Sequence, residues 1–493
     1  MNLNRISMKW LALFFLLVGP MCYAQTATVN WANTHQAIDG FGGNDVGMFP
    51  AGYTMSAAQL AEVFGTSGKE LGLSVIRSQV TNGTDSTSDQ GSCLTVSAAC
   101  EGSLLPDLVG AASYGARIVA TPFGFPSTYT TNGSSQCAAG SGNGTLSPSH
   151  YQDYANWEAN FIKSLTTYNG LSVYAIGIDN EPEYCDGTSQ DSAVMSDSAI
   201  DTYVKSYLGK TLTSNGMTPI IFAPDTGTYG NIDAFPTCET DSACASYVGA
   251  YSHHDYDASQ SGAPGPNTVN AEPLPANWIG GKKDWILEAS CKASGGTQPS
   301  WCQSGFDPGW TANALYWAAW VDQRLAVDNV GLVTGTWWFY VDAPSNNSEG
   351  LVESSTLRSG DVYAVSGRAY VLAQYSRWVR PGYYRIDATH IPQAGISVSA
   401  YQDVPSGHLV IVATNYTDAA VAQPFSLTNA PTFTSVTPYI TSATQDIQQQ
   451  AAQSVSSNAF SYSLPPYSVT TFVGTSSTSA GPAAPTNLQA TVN

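Results

Sequence analysis

Two glutamates stand where strongly apolar runs stop. Tyr174-Ala175-Ile176-Gly177-Ile178 leads into Asp179-Asn180-Glu181-Pro182-Glu183, and Asp284-Trp285-Ile286-Leu287 leads into Glu288. A carboxylate directly after a buried strand is costly unless it has partners or performs chemistry, and Pro182 ends any strand ladder right after Glu181. Two such glutamates facing each other across a cleft can hydrolyse a glycosidic bond. One protonates the leaving oxygen while the other attacks the anomeric carbon or activates water. The plainer alternative for both is a structural ion pair or a loop carboxylate. Asp179 and Glu183 read as loop residues or supports of the glutamate between them.

The elements that must position these glutamates come in alternation. Candidate strands are 37–42, 73–77, 117–121, 173–178, 219–223, 247–252, 284–288 and 332–340, with helical patterns between them. Ser56-Ala57-Ala58-Gln59 has the form of a capping box, and Ser147-Pro148 that of an N-cap followed by a first-turn proline. Tyr154, Trp157, Phe161 and Leu165 recur on one helical face, as do Ala314, Trp317, Val321 and Leu325. This pattern predicts an α/β fold, a (β/α)8 TIM barrel over 36–366, whose strand C-terminal ends carry the active site. An open doubly wound sheet is the alternative, but no glycine-rich nucleotide loop supports it. After Gly367 short β-rich runs at 397–401, 409–414 and 468–473 are separated by turns, which predicts a β-sandwich side domain over 367–474. Residues 25–35 supply a strand that joins it. The Ser/Thr/Gly/Pro-rich 475–493 reads as a linker and the possible start of a fibronectin III-like module.

Seventeen Lys and Arg against 37 Asp and Glu leave a formal charge of −20, which disfavours nucleic acid as a partner. Arg5 and Lys9 precede an apolar run from Trp10 to Val18, with Gly19-Pro20 and the small residues before Gln25 completing the form of a secretory signal peptide over 1–24. Losing those two cations gives 15 − 37 = −22 for the mature chain. No later stretch is apolar enough to span a membrane, so a secreted, extracellular or periplasmic monomer is expected. Apart from Cys22, the cysteines are even in number. Nearness favours Cys93 with Cys100, Cys238 with Cys244 and Cys291 with Cys302, leaving Cys137 and Cys185, although spacing alone admits many pairings. None has the spacing of a structural zinc site.

Four motifs in order give a more specific reading. Gln36-Ala37-Ile38-Asp39-Gly40-Phe41-Gly42-Gly43, Asn180-Glu181-Pro182, Trp285-Ile286-Leu287-Glu288 and Tyr375-Ser376-Arg377-Trp378-Val379-Arg380-Pro381-Gly382 together resemble glycoside hydrolase family 30, in its xylanase-like branch. The resemblance implies that Glu181 is the general acid/base and Glu288 the nucleophile of a retaining reaction. It implies that Asn180 binds the sugar 2-hydroxyl, that His254 and Tyr256 stand beside the nucleophile, and that Arg77 helps hold Glu288 ionised. Trp337 and Trp338 would contribute a sugar platform, although adjacent residues of a regular strand face opposite ways. A hydrogen-bonded core histidine is the plainer reading of His254, and His253 reads as structural. Tyr129, Trp301 and Trp310 either stack on sugar rings or anchor their loops. In this reading Glu181 needs a raised pKa while Glu288 stays charged.

The implied substrate is a β-linked plant polysaccharide, most of all β-1,4-xylan cut internally. A β-1,6-linked glucan or galactan is the alternative, and a noncatalytic carbohydrate-binding protein the remote one. The loop after the eighth strand, Val341 to Glu349, carries Asp342 and Glu349 and no Arg or Lys before Arg358, which argues against strict reading of a glucuronate. Tyr129 stands near a position where the family commonly has tryptophan. No cofactor or metal is implied, since a carboxylate pair needs neither.

Overall fold

A computed structural model describes residues 25–45, 54–80, 92–98, 100, 104–134, 144–185, 193–290, 302–303, 305–334, 338–344, 348–356 and 359–477. The expected leader, Cys137, Cys291, Trp301, Trp337 and the linker beyond 477 lie outside them.

Eight parallel strands close a barrel: β2 (Gly40–Asn44), β3 (Val75–Gln79), β4 (Arg117–Thr121), β5 (Val173–Gly177), β6 (Ile220–Thr226), β7 (Val248–His254), β8 (Lys283–Glu288) and β9 (Leu332–Thr334). They follow β1 (Ala27–Ala37), which belongs to the side domain. Apolar residues at alternate strand positions, among them Val75, Val119, Phe222, Trp285, Leu287 and Leu332, fill the barrel interior. The outward-facing alternates meet the helices in the main core. The Ser56 capping box forms, and both helical stripes read from the sequence are buried. Ser147-Pro148 opens a 3-10 turn rather than an α-helix, with the long helix Tyr151–Asn169 following directly.

Two of the sequence motifs are structural. At the N-terminal end of the barrel, the Asp39 carboxylate accepts from Lys283 Nζ at 2.7 and 2.9 Å, Tyr174 Oη at 2.6 Å and Trp285 Nε1 at 2.9 Å, which closes the end away from the site. Gly42 lies so near β3 that a Cβ would come 2.4 Å from the Val75 carbonyl oxygen. In the second motif Ser376 Oγ donates to the Leu71 carbonyl at 2.6 Å, and the Arg377 guanidinium caps the carbonyls of Thr66, Gly68 and Glu70. These bonds seat the helix Gly367–Ser376 between the barrel and the side domain.

The side domain is one continuous ten-stranded sheet curled over itself rather than two separate sheets. The strand β1 joins its halves by pairing antiparallel with Tyr384–Ala388 and parallel with Val421–Thr428. The curl encloses its own core of Val29, Ile386, Ile411, Phe425, Phe460 and Phe472.

One strand departs from expectation. The run 332–340, apolar on both sides of Thr334-Gly335-Thr336, reads as one strand, but β9 pairs with β2 and β8 only over Leu332–Thr334. Trp338 instead opens β10 (Trp338–Asp342), which pairs with Gly350–Ser354 in a separate three-stranded sheet. Disulfides join Cys93 to Cys100 and Cys238 to Cys244. Cys185 and Cys302 are also disulfide-bonded.

Candidate active site

Five strand ends converge on one guanidinium. Arg77, fully buried in β3, donates from Nη1 to Glu288 Oε1, from Nη2 to Asn180 Oδ1 at 2.9 Å and Asp225 Oδ2 at 2.8 Å, and from Nε to Thr121 Oγ1 at 3.2 Å. Asn44 Oδ1, at the end of β2, lies 3.4 Å from Nη1. A planar fork with fixed donor directions can serve this many acceptors at once, which an ammonium cannot. The guanidinium therefore orients the carboxyl group of Glu288 and the amide of Asn180 together.

Glu288 ends β8 with no solvent exposure. Its Oε2 accepts from Tyr256 Oη at 2.7 Å and lies 3.4 Å from His254 Nδ1. His254, the last residue of β7, also reaches Glu181 Oε1 from Nδ1 at 3.0 Å. A carboxylate oxygen of Glu181 and one of Glu288 lie within 4.8 Å of each other and of this imidazole nitrogen. Glu181 itself is the more open of the two, with a side chain 15% exposed. Its backbone takes φ +48°, in the left-handed region that a non-glycine residue adopts only when its surroundings impose it. What imposes it is visible: Glu181 N–H donates to the Asp225 carbonyl at 3.0 Å, and Pro182 continues the turn.

The fold thus brings Glu181, Glu288, Asn180, Arg77, His254 and Tyr256 into one contact network. Other expected site residues make contacts of their own. Trp338 opens β10 in the sheet beside the barrel, and Trp337 lies outside the described residues. Tyr129 sits in a short 3-10 turn with one ring face stacked on His150, centroids 5.3 Å apart. Trp310 donates to the Tyr467 carbonyl at 2.6 Å and anchors its helix to the side domain. Glu183 supports the loop, since its Oε1 accepts from Gly227 N at 2.7 Å and Asn231 Nδ2 at 3.0 Å. Asp225, just past Pro224 on β6, is the residue that sequence reasoning missed. The rule that singled out Glu288, a carboxylate at the end of an apolar strand, applies to it once the strand is allowed to pass the proline.

The electrostatics differ from expectation at Glu288. Arg77 and Tyr256 do reach it, but burial outweighs His254, Arg77 and Tyr256 and pushes its carboxyl up to about 7. Burial works against the His254 cation too, yet the charges of Glu288 and Asp225 and a hydrogen bond to Glu181 carry it up to about 10. Asp225 is also disfavoured as an ion by burial, and Arg77 and His254 overcome this to hold it below its ordinary value. With two cations already among these carboxylates, the cluster is neutralised from within. The second acidic cluster, Asp255, Asp257 and Glu272, likewise has a built-in cation: Arg324 lies 2.8 Å from Asp255 and 2.9 Å from Glu272.

Removing the Tyr256 hydroxyl tests the site's charge balance. Tyr256→Phe takes away a donor that stabilises ionised Glu288, so its pKa rises and the acidic limb of the kcat/KM profile moves to higher pH. A loss of about 10-fold to 100-fold in kcat/KM accompanies the shift. A pH–rate series on both proteins checks it.

Buried carboxyls recur through the chain. Burial raises Glu62 and Asp107 to about 7 and Glu239 to about 8, as it does Glu288. At pH values between the ordinary carboxylate range and these raised values, the folded chain holds protons that the unfolded chain releases. Stability is therefore fully present below the unfolded pKa and is lost as pH rises through the folded ones. Thermal unfolding followed across that window should show Tm falling by on the order of 5 °C between mildly acidic and mildly alkaline buffer.

No protein-family model matches the chain. Among curated proteins it is similar to the glucuronoxylanase XynC of Bacillus subtilis (strain 168), 27% identical over 467 residues that cover 93% of this chain and 94% of that protein. Among solved structures it is similar to the family 30 subfamily 8 xylanase Xyn30A of Clostridium acetobutylicum, at TM-score 0.70 and 27% identity over 92% of this chain and 100% of that one. It is also similar to a family 30 endoxylanase of Clostridium papyrosolvens, at TM-score 0.68 and 25% identity over 92% and 100%. With this barrel, its attached sheet and these relatives, the chain is a glycoside hydrolase. Its likeness is to family 30, on the xylanase-like side of that family.

Proposed function

We propose that the chain is a secreted, retaining endo-β-1,4-xylanase in which Glu288 is the nucleophile and Glu181 the general acid/base. The observation that carries this reading is the approach of the two carboxyl groups, with oxygens within 4.8 Å. Retaining enzymes need about 5–5.5 Å between the groups, whereas inverting ones need about 6.5–9.5 Å to admit a water. Their surroundings suit the division of labour. The more open Glu181 meets the leaving oxygen and later an incoming water, and the buried Glu288 is aimed by Arg77 and Tyr256 at the anomeric carbon. Glu181 protonates the glycosidic oxygen as Glu288 attacks; the aglycone leaves, and a glycosyl ester forms on Glu288. Glu181, now ionised, removes a proton from water, which displaces Glu288 and restores the original anomeric configuration. Asn180, fixed by Arg77, presents its amide nitrogen toward the sugar 2-hydroxyl.

The substrate reading rests on charge. The similar curated protein is a glucuronoxylanase, but the segment from Val341 to Glu349 here carries Asp342 and Glu349 with no cation, and a chain at −20 does not favour a uronate. Xylan without obligatory glucuronate is the substrate proposed. Export is supported by the basic, then apolar, then small-residue pattern of 1–24. Incubation with xylan, glucuronoxylan, β-1,6-glucan and β-1,6-galactan, with products sized, tests the reading. Xylo-oligomers released from both xylans at comparable rates are expected. Cleavage confined to glucuronoxylan would overturn the substrate, and cleavage confined to β-1,6 linkages would overturn the family branch.

A further inference from the structure

The role of Asp225 goes beyond holding Arg77. Its Oδ2 takes the Arg77 bond, but its Oδ1 makes no hydrogen bond and is fully buried, 3.6 Å from His254 Nε2, which is equally buried and equally without one. That is an ion-pair rather than a hydrogen-bond distance, and each atom is the other's charged neighbour. The opposite ring nitrogen of the same imidazole contacts Glu181 Oε1 at 3.0 Å. Asp225 meanwhile accepts the Glu181 backbone N–H through its carbonyl, and both residues hold left-handed backbone, φ +65° and +48°. The chain is strained at two adjacent points of one connected unit, an arrangement that pure packing does not require.

We propose that Asp225 is a positioning residue that keeps His254 cationic at working pH, so that His254 Nδ1–H donates to the carboxylate developing on Glu181 as it releases its proton to the leaving sugar. No proton travels along the couple. Glu181 gives its proton to the glycosidic oxygen, His254 keeps both of its own, and Asp225 stays ionised throughout. The proposal rests on the assignment of Glu181 as the acid. The groups that face His254 from each neighbouring element are consistent with it: Glu181 from the loop after β5, Asp225 from β6, Glu288 from β8, and on its own segment the Tyr256 ring, edge-on at 5.9 Å. Arg77 approaches only through the two carboxylates it pairs with. Three carboxylates around one imidazole favour its charged form, and the position of the ring raises its pKa to about 10.

The test has two arms. In Asp225→Asn the shape is kept and the charge removed, so His254 loses a counter-ion and deprotonates at lower pH. The basic limb of kcat/KM should move to lower pH by about one unit. Because kcat/KM reports the first bond cleavage, the loss should be about 100-fold on xylan, whose leaving group needs the acid, and under about 10-fold on a dinitrophenyl xylobioside, whose leaving group does not. Equal losses on the two substrates with an unmoved limb would make Asp225 structural only and overturn the proposal. The second arm needs no variant: imidazole nitrogen shifts of the native enzyme should show His254 still protonated at about pH 8. A His254 that is neutral there overturns the couple whatever Glu181 does. A failure of Glu181 as the acid would show separately, as a Glu181→Ala enzyme that loses equally on both substrates while His254 stays charged.

Discussion

Glu288→Gln is expected to lower kcat/KM on xylan by about 10⁵-fold, the scale on which removal of a nucleophile collapses a two-step mechanism. A neutral amide of the same shape has no charge with which to attack the anomeric carbon. Its one oxygen can still accept from Arg77 Nη1, and its amide NH2 can donate to the Tyr256 hydroxyl oxygen, so the site keeps its form and sugar binding survives. Folding should not suffer either, since the exchange removes a carboxyl that burial already pushes up to about 7. The variant therefore separates catalysis from binding: xylan retained without cleavage, read by affinity electrophoresis and reducing-end release, is the expected pair of results. Hydrolysis at a comparable level would make the nucleophile assignment wrong, and the noncatalytic reading would remain only if the native chain also failed to cleave.

Arg77→Met should be the most damaging substitution for the fold of the site. It removes the cation that Glu288 and Asp225 share, both fully buried, and takes one donor each from Asn180 and Thr121. Breaking a buried pair by deleting one partner costs about 3–5 kcal/mol, because the remaining charge has nowhere to go but into protonation. Denaturant unfolding at neutral pH should show a loss of that size, diminishing as the pH is lowered and the stranded carboxyls take up protons. Activity should fall with it, and what remains should have its acidic limb at higher pH, since Glu288 ionises less readily without Arg77. Arg77→Lys should recover stability better than activity, because one ammonium cannot reach four acceptors in different directions. An Arg77→Met protein as stable as the native one would show that the guanidinium network does not carry the weight placed on it here.

The barrel was legible because its strands are short apolar runs at regular separation, and periodicity sees such runs directly. It failed at Leu332–Tyr340 because two apolar runs flank Thr334-Gly335-Thr336 closely enough to read as one strand, although β9 ends at Thr334 and β10 begins at Trp338. In the side domain the central strands around Val398, Ile411 and Phe472 were readable, while Gln445–Gln449 and Gln453–Ser454 were not, being mostly polar edge segments in which Ile447 alone is a buried apolar residue. At the site, Glu181 and Glu288 announced themselves as carboxylates at apolar strand ends. Asp225 meets the same description, but Pro224 looked like the end of the strand, whereas the strand runs on to Thr226 through the left-handed Asp225. Spacing also could not show that His254 touches both glutamates. That contact comes from barrel closure, which brings the ends of β7 and β8 beside the loop after β5.

The central claim is a double displacement in which Glu288 takes the sugar and Glu181 manages the proton. Proton NMR of a xylan digest in its first minutes reads it most directly, through the anomeric configuration of newly formed reducing ends before mutarotation. The account predicts that the β-anomer appears first and the α-anomer grows in only later. An α-anomer that appears first would mean a single displacement by water, and would contradict the assignment of Glu288 despite its closeness to Glu181.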